Sequence, residues 1–287
     1  MRSVSVDEPG RGEVPGAQYL SAEYVIDELG AHGARRLRTL TAPKVLVLGI
    51  LAGAFITTGA LFAALLATGT DNPGVERLLE GFGFSAGFFF VILSGAALFT
   101  EANVVMPATA LRREPGITAA RIARFWGVAL VGNFIGALVV GYALHLAQHY
   151  PADVNALLDE IVERKLSYRR IGGTGAWFQV LLSGILANWL VGMAAFFATM
   201  GRTVIGKYIP VFLAVTAFVA ANFQHSPANL GFFSIVEAAG RGPGWDVAFG
   251  WNVVPAGIGN MIGGALLVVL PFCYETRRRP DTSRHDR

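Results

Sequence analysis

Two short stretches set polar side chains inside long apolar runs: "FQHSPAN" at 223–229 and "LFTEAN" at 98–103. The first holds an imidazole (His225), a hydroxyl (Ser226) and an amide (Asn229). The second holds a hydroxyl (Thr100), a carboxylate (Glu101) and an amide (Asn103). Ionisable groups at membrane depth are costly, and those retained face proton or ion pathways by default. Histidine titrates near neutrality, so His225 is suited to donate or relay a proton, while neighbouring hydroxyls and amides can both donate and accept hydrogen bonds. The plainer reading of His225 is a hydrogen-bonded packing residue; its place between "FQ" and "SPAN" favours the functional one. For Glu101 the plainer reading is preferred: a carboxylate supporting the positive end of a helix that starts after the break.

Around these stretches the chain is strongly apolar: 53% of its 287 residues are apolar, 15% are charged, 35 are glycine, and mean hydropathy is +0.50. That composition indicates a membrane protein. The net charge of +3 is small, and the basic residues flank apolar runs, so they fit a topological role and no nucleic-acid partner. A single cysteine, Cys273, excludes a disulfide framework and a cysteine-based metal site, and reads as a small buried hydrophobe. There is no metal-ligand spacing such as HExxH, no G-x-S-x-G elbow and no cofactor motif, so neither metal nor cofactor is expected. A membrane-embedded enzyme using His225 with Ser226 or Glu101 is the weakest reading.

Six apolar runs, at about 43–68, 81–111, 122–147, 176–200, 208–239 and 251–274, each suffice to cross roughly 30 Å of hydrocarbon. The second and fifth are overlong, and each carries one of the polar stretches. The expected division is a segment 1–42, a transmembrane domain 43–275 and a tail 276–287. Residues 1–17 read as a disordered, uncleaved terminus. Ser21 is expected to cap a short amphipathic helix ending near Gly30. Arg35, Arg36, Arg38 and Lys44, then Arg112, Arg113, Arg121 and Arg124, then Arg202 and Lys207, then Arg277 to Arg279, fall in alternate loops. The other side carries Asp71, Glu76, Asp153 and Asp159, with Lys165, Arg169 and Arg170 as exceptions. The positive-inside rule therefore sets both termini in the cytoplasm of a multi-pass plasma (inner) membrane protein.

An internal repeat follows. "GNFIG" at 132 returns as "GNMIG" at 259, "GILAGAF" at 49 as "GILANWL" at 184, and "FTEAN" at 99 loosely as "HSPAN" at 225, with offsets of 126 to 135 residues. Three spans per unit make the repeats inverted in the membrane, and such folds keep their site at the midplane, where helices break. "GNFIG" and "GNMIG" read as close-packing, broken-backbone elements, and Trp126, Trp177, Trp245 and Trp251 as interface anchors.

From about residue 20 to 275 the chain resembles the formate/nitrite transporters, on "LFT" (98–100), "GILANWLVGMA" (184–194), "FVAANFQHSPAN" (218–229) and "NVVPAGIGNMIGGALL" (252–267). The resemblance implies an all-α membrane protein with six transmembrane helices in an aquaporin-like inverted repeat, helices 2 and 5 broken, assembled as a homopentamer with one pore per protomer. It implies a central site of His225, Thr100 and Asn188, a cytoplasmic constriction of Leu98, Phe99 and Val191, and a periplasmic constriction of Phe84, Phe88 and Phe218. The implied substrate is a small monovalent weak-acid anion, moved with a proton. Physically, a bare anion in low dielectric costs several kcal/mol, whereas protonating an acid of pKa near 4 at pH 7 costs only about 4 kcal/mol, so crossing apolar gates as the neutral acid is competitive. The chain departs from the family at Ala97 and Gln224, where acids are common, and at Gly172, where a lysine is common. Those departures keep open a divergent channel for a neutral solute or another ion.

Overall fold

The computed structural model describes residues 19–112 and 115–277, with side chains to 274. The terminus expected to be disordered at 1–17, and the topology residues Arg113, Arg278 and Arg279, lie outside the described residues. The elements are helices α1 (Ala22–Thr39), α2 (Ala42–Ala67), α3 (Pro73–Ser94), α4 (Phe99–Leu111), α5 (Ala119–Ala147), α6 (Ala152–Lys165), α7 (Ser167–Ile171), α8 (Gly173–Met200), α9 (Val204–Ala220) and α10 (Ser226–Ala238). The last, α11 (Trp245–Tyr274), widens into π turns at Phe249–Val253 and Gly263–Val269.

Five of these, α2, α3, α5, α8 and α11, are long and apolar enough to cross a membrane, which makes the chain a multi-pass membrane protein; α9 is apolar but spans 17 residues. The two overlong runs each resolve into two helices. The second becomes α3 and α4, separated at Gly95–Leu98, where Gly95 turns the chain with φ 67°. The fifth becomes α9 and α10, separated at residues 221–225, where Asn222 takes φ 55°. Both second halves, α4 and α10, are buried along nearly their whole length.

Backbone-close packing of the long helices follows the repeated glycines. A Cβ on Gly53 of α2 would lie 2.0 Å from the Asn133 carbonyl of α5, and one on Gly136 2.0 Å from that of Ile50. In the second half, a Cβ on Gly259 of α11 would lie 2.1 Å from the Leu181 carbonyl of α8, and one on Gly263 2.2 Å from that of Ile185. Small residues permit this approach where lipid offers no hydrophobic drive to associate.

Two sequence expectations are corrected at α1. The Ser21 side chain makes no capping bond, and the helix runs on to Thr39 instead of stopping near Gly30. Gly30 and Gly33 are used for contact with α4: Thr109 Oγ1 donates to the Gly30 carbonyl at 3.0 Å, and a Cβ on Gly33 would collide with that hydroxyl. The helix is thereby docked, not terminated.

Candidate functional site

The two breaks are held by matching asparagines. Asn133 of α5 accepts from the Phe99 N–H at 2.9 Å and donates to the carbonyls of Ala97 (2.9 Å) and Gly49 (3.0 Å). Asn260 of α11 accepts from the Ser226 N–H at 2.9 Å and donates to the carbonyls of Gln224 (3.0 Å) and Gly184 (2.9 Å). Each amide thus joins the carbonyl just before the N-cap of a half-helix to the first N–H within that half-helix, and ties both to the neighbouring long helix. The N–H groups of Phe99 and Ser226 and the carbonyls of Ala97 and Gln224 are those a broken helix leaves without partners. "GNFIG" and "GNMIG" owe their repetition to this as well as to packing.

Between the clamps the breaks meet. His225 and Thr100, on opposite half-helix starts, have no exposed surface, and Nε2 of the ring lies 2.7 Å from Thr100 Oγ1. His225 is also the N-cap of α10, its Nδ1 accepting the Ala228 N–H at 3.2 Å. With Nδ1 accepting, the neutral ring carries its proton on Nε2, directed at Thr100. Asn188 of α8 completes the group, donating to the carbonyls of Thr100 (3.3 Å) and Asn260 (2.7 Å). Among the described residues its Oδ1 has no partner, and neither have the two amide atoms of the buried Asn103 or Oδ1 of Asn229. Such unpaired buried polar atoms mark places where water or a polar solute can be bound.

Apolar side chains flank this centre. Phe218 lies 5.3 Å from the His225 ring and meets Phe84 edge-on at 5.9 Å; Phe84 stacks in turn on Phe232 at 6.0 Å. Phe88, one turn from Phe84, is buried in the same cluster, as are Leu98 and Val191. Phe99 is set apart: it is buried outside that cluster, its ring edge 4.0 Å from where a Cβ on Gly257 of α11 would stand. All nine residues singled out from the sequence are buried: Leu98, Phe99, Thr100, Asn188 and His225 lie at or bond to the breaks, Phe218 and Phe84 join them through ring contacts, and Phe88 and Val191 belong to the same apolar core.

Charged residues lie at both ends of the arrangement; the sequence marked Glu101 as a helix-start carboxylate and Arg36, Glu76 and Lys165 only as topology residues. On the arginine-rich side Arg36 of α1 is buried, pairs with Glu101 at 3.2 Å, and donates to the carbonyls of Ala96 (3.4 Å) and Gly95 (3.5 Å). The expectation that Glu101 caps α4 is refined: it sits in the first turn of α4, and its carboxylate is taken up by Arg36. Beside it a cavity of about 570 Å³ opens, lined among others by Glu28, His32, Glu101, Arg202 and Lys207. Burial pushes the His32 imidazole below its usual range, against the opposing pull of Glu101.

On the opposite side the 148–175 segment folds into α6 and α7 and straps the second break. Lys165 Nζ donates to the Phe223 carbonyl at 3.3 Å, Asn222 donates to the Arg164 carbonyl at 3.4 Å, and Arg164 pairs with Glu76 and Glu80. Burial pushes the Lys165 ammonium down to about 7; Glu80 opposes this and Arg164 and Arg77 add to it. Arg169 and Arg170 are exposed, so of the three cations noted in this segment only Lys165 reaches the break. Gln224 accepts from Asn229 (3.0 Å) and Asn252 (2.8 Å), which makes a neutral amide cluster there. No local sequence signal distinguished Lys165 from its neighbours.

The family model described as "Formate/nitrite transporter" matches residues 23–274. The chain belongs to the formate/nitrite transporter family. This is a family of transporters and channels, not of enzymes. The chain is 30% identical over 246 residues to a probable formate transporter of Methanothermobacter thermautotrophicus, a match covering 80% of this chain and 88% of the relative. It is 30% identical over 273 residues to the formate channel FocA of Escherichia coli K12, covering 86% and 90%. A solved pentameric formate channel with formate bound superposes with a TM-score of 0.68 at 24% identity, covering 83% of this chain and 98% of that one, and so shares the fold.

Proposed function

We propose that this formate/nitrite transporter family member moves formate, nitrite or a similar small monovalent weak-acid anion across the plasma membrane, coupled to a proton through His225. The observation that carries the reading is the buried contact of His225 Nε2 with Thr100 Oγ1, which joins two chain breaks between apolar rings. In its neutral form the ring offers Nε2–H to a carboxylate or nitrite oxygen. When Nδ1 takes a proton, in exchange for the helix-capping bond, the ring becomes an acid able to hand the Nε2 proton to the anion. The neutral acid then passes the apolar side chains more cheaply than the ion. Asn188 and Thr100 hydrogen-bond either form; Leu98, Phe99 and Val191 form the inner constriction, and Phe84, Phe88 and Phe218 the outer one.

The same reading gives six membrane crossings in an inverted repeat, with α3/α4 and α9/α10 as broken second and fifth helices. The matching Asn133 and Asn260 clamps support it. Both termini lie in the cytoplasm, residues 1–42, 43–275 and 276–287 form the leading segment, channel domain and tail, and the chain assembles as a homopentamer in the lipid bilayer, which the pentameric state of the solved formate channel supports. Lys165 stands in for the lysine missing at Gly172 and presents positive charge to an arriving anion. A neutral-solute channel is the second reading, favoured by the uncharged Gln224, Asn229 and Asn252 cluster.

The deciding experiment is formate and nitrite flux in proteoliposomes across pH 5 to 8, for wild type and His225→Asn. Proton-coupled flux is expected to fall strongly in the variant, with residual permeation losing its pH dependence near neutrality. Well-assembled His225→Asn protein with the wild-type pH profile refutes the coupling role. Flux of a neutral solute without formate flux in wild type decides for the second reading.

A further inference from the structure

At the arginine-rich side, the end of α1 and the first turns of α2 and α5 enclose a cavity of about 340 Å³ that none of the transport chemistry uses. Its charged wall is Arg38, Arg121 and Arg124, and its apolar wall includes Val45, Phe125 and Val128; among the described residues no acid lines it. Arg121 is fixed in place, donating to the carbonyls of Gly116 at 2.7 Å and Leu37 at 3.1 Å. Arg124 is exposed and, among the described residues, has neither a hydrogen bond nor an ion pair. Three guanidinium groups line one cavity, and their planar forks match a phosphate bidentately.

The position of the cavity decides which phosphate. It sits where α2 begins, at the level at which the chain enters the membrane. From its apolar floor α2 continues with outward-facing Val47 (64% exposed) and Leu51 (38%), and α5 with Val131 (54%), surfaces on which an acyl chain can lie. A free phosphate would use the arginines and leave the apolar wall without a partner. We propose that this cavity is a binding site for an anionic diacyl phospholipid of the cytoplasmic leaflet, its headgroup phosphate held by Arg38, Arg121 and Arg124 and an acyl chain lying along α2 and α5. The leaflet rests on the orientation proposed above. Basic pockets between transmembrane helices on the cytoplasmic side hold acidic headgroups for this reason, each arginine near the surface contributing roughly fivefold in affinity.

The test uses the full-length assembly in non-ionic detergent, titrated with dioctanoyl phosphatidylglycerol, dioctanoyl phosphatidylcholine or inorganic phosphate, with bound molecules counted by native mass spectrometry. Saturable binding of one phosphatidylglycerol per protomer is expected, with phosphatidylcholine weaker by tenfold or more and no competition from millimolar phosphate. Arg38→Gln with Arg124→Gln is expected to weaken phosphatidylglycerol binding about 25-fold, from two such fivefold factors, and Arg124→Lys, which keeps the charge and loses the fork, to weaken it less than Arg124→Gln. Both arginines lie outside the transport path, so formate flux in liposomes lacking anionic lipid should match wild type and report intact folding. Equal binding of both lipids, or an unchanged affinity in the double variant, overturns the lipid site. Phosphate displacing the lipid at comparable concentration overturns the acyl-chain part and leaves a simple anion site. Because binding is read without flux, a failure of the transport proposal would appear separately, as absent flux with intact lipid binding.

Discussion

Removing the Asn260 amide should destabilise the protein by about 3 kcal/mol, and removing Asn133 by nearly the same amount. Asn260→Ala takes away partners from four groups: the Ser226 N–H, the Ser226 hydroxyl, and the carbonyls of Gln224 and Gly184. The hydroxyl can rotate, and the Gly184 carbonyl lies inside α8, where the helix supplies a bond of its own. Two groups in the break are stranded, the Ser226 N–H and the Gln224 carbonyl. At about 1–3 kcal/mol for each buried polar group left unpaired, the range is about 2–6 kcal/mol. Membrane side-chain hydrogen bonds average about 0.6 kcal/mol, which places the outcome in the lower half of that range. Asn133→Ala strands the corresponding Phe99 N–H and Ala97 carbonyl, so the two variants should agree within about 1 kcal/mol although they act on different breaks. Asn155→Ala is the control: its amide donates to the Tyr150 and Pro151 carbonyls in a partly exposed loop, where water replaces it, and it should cost less than about 1 kcal/mol. The assay is reversible unfolding of detergent-solubilised protein by a denaturing surfactant, followed by tryptophan fluorescence, with formate flux measured on the same preparations. If either clamp variant unfolds at the wild-type midpoint and keeps wild-type flux, the argument that these amides hold the breaks is wrong.

Four further outcomes are expected. Phe218→Ala removes the ring packed on His225 and Phe84, so leak of small hydrated ions through reconstituted protein should rise while assembly persists; unchanged ion selectivity would exclude Phe218 as a gate. Lys165 is charged below about pH 7 and neutral above it, so its contribution to anion flux should fade as pH rises through 7; Lys165→Arg should flatten that limb at high flux, Lys165→Gln at low flux, and identical profiles would dismiss the role. Because the folded protein gives up this proton before the unfolded chain, whose lysine holds it to about 10.5, stability should also rise from pH 7 toward 10, and Lys165→Met should abolish that slope in unfolding titrations. Arg36→Met leaves Glu101 buried and unpaired and should cost about 3–5 kcal/mol, most of it regained in Arg36→Met with Glu101→Gln; a double variant as unstable as the single would show that the pair is not the source.

The membrane class, the long apolar helices and the places where two of them stop were legible in the chain because each depends on nearby residues. Apolar length is a local sum, and His225, Ser226 and Pro227 interrupt such a run whatever packs around them. The repeated glycines marked the places of backbone-close packing, since such packing admits few other residues. What the amides bind was not legible: Asn133 reaches Phe99 and Gly49, and Asn260 reaches Ser226 and Gly184, only once the helices are side by side. The meeting of Thr100 with His225, 125 residues apart, is likewise a product of folding. Gly30 looked like a stop because glycine ends an isolated helix, and only the approach of Thr109 on α4 turned it into a contact surface. Lys165 could not be told from Arg169 or Arg170, because all three are cations in one polar loop. The tertiary structure alone decided that one of them lies buried against the carbonyl of Phe223, at a break where helix geometry leaves that carbonyl in need of a donor.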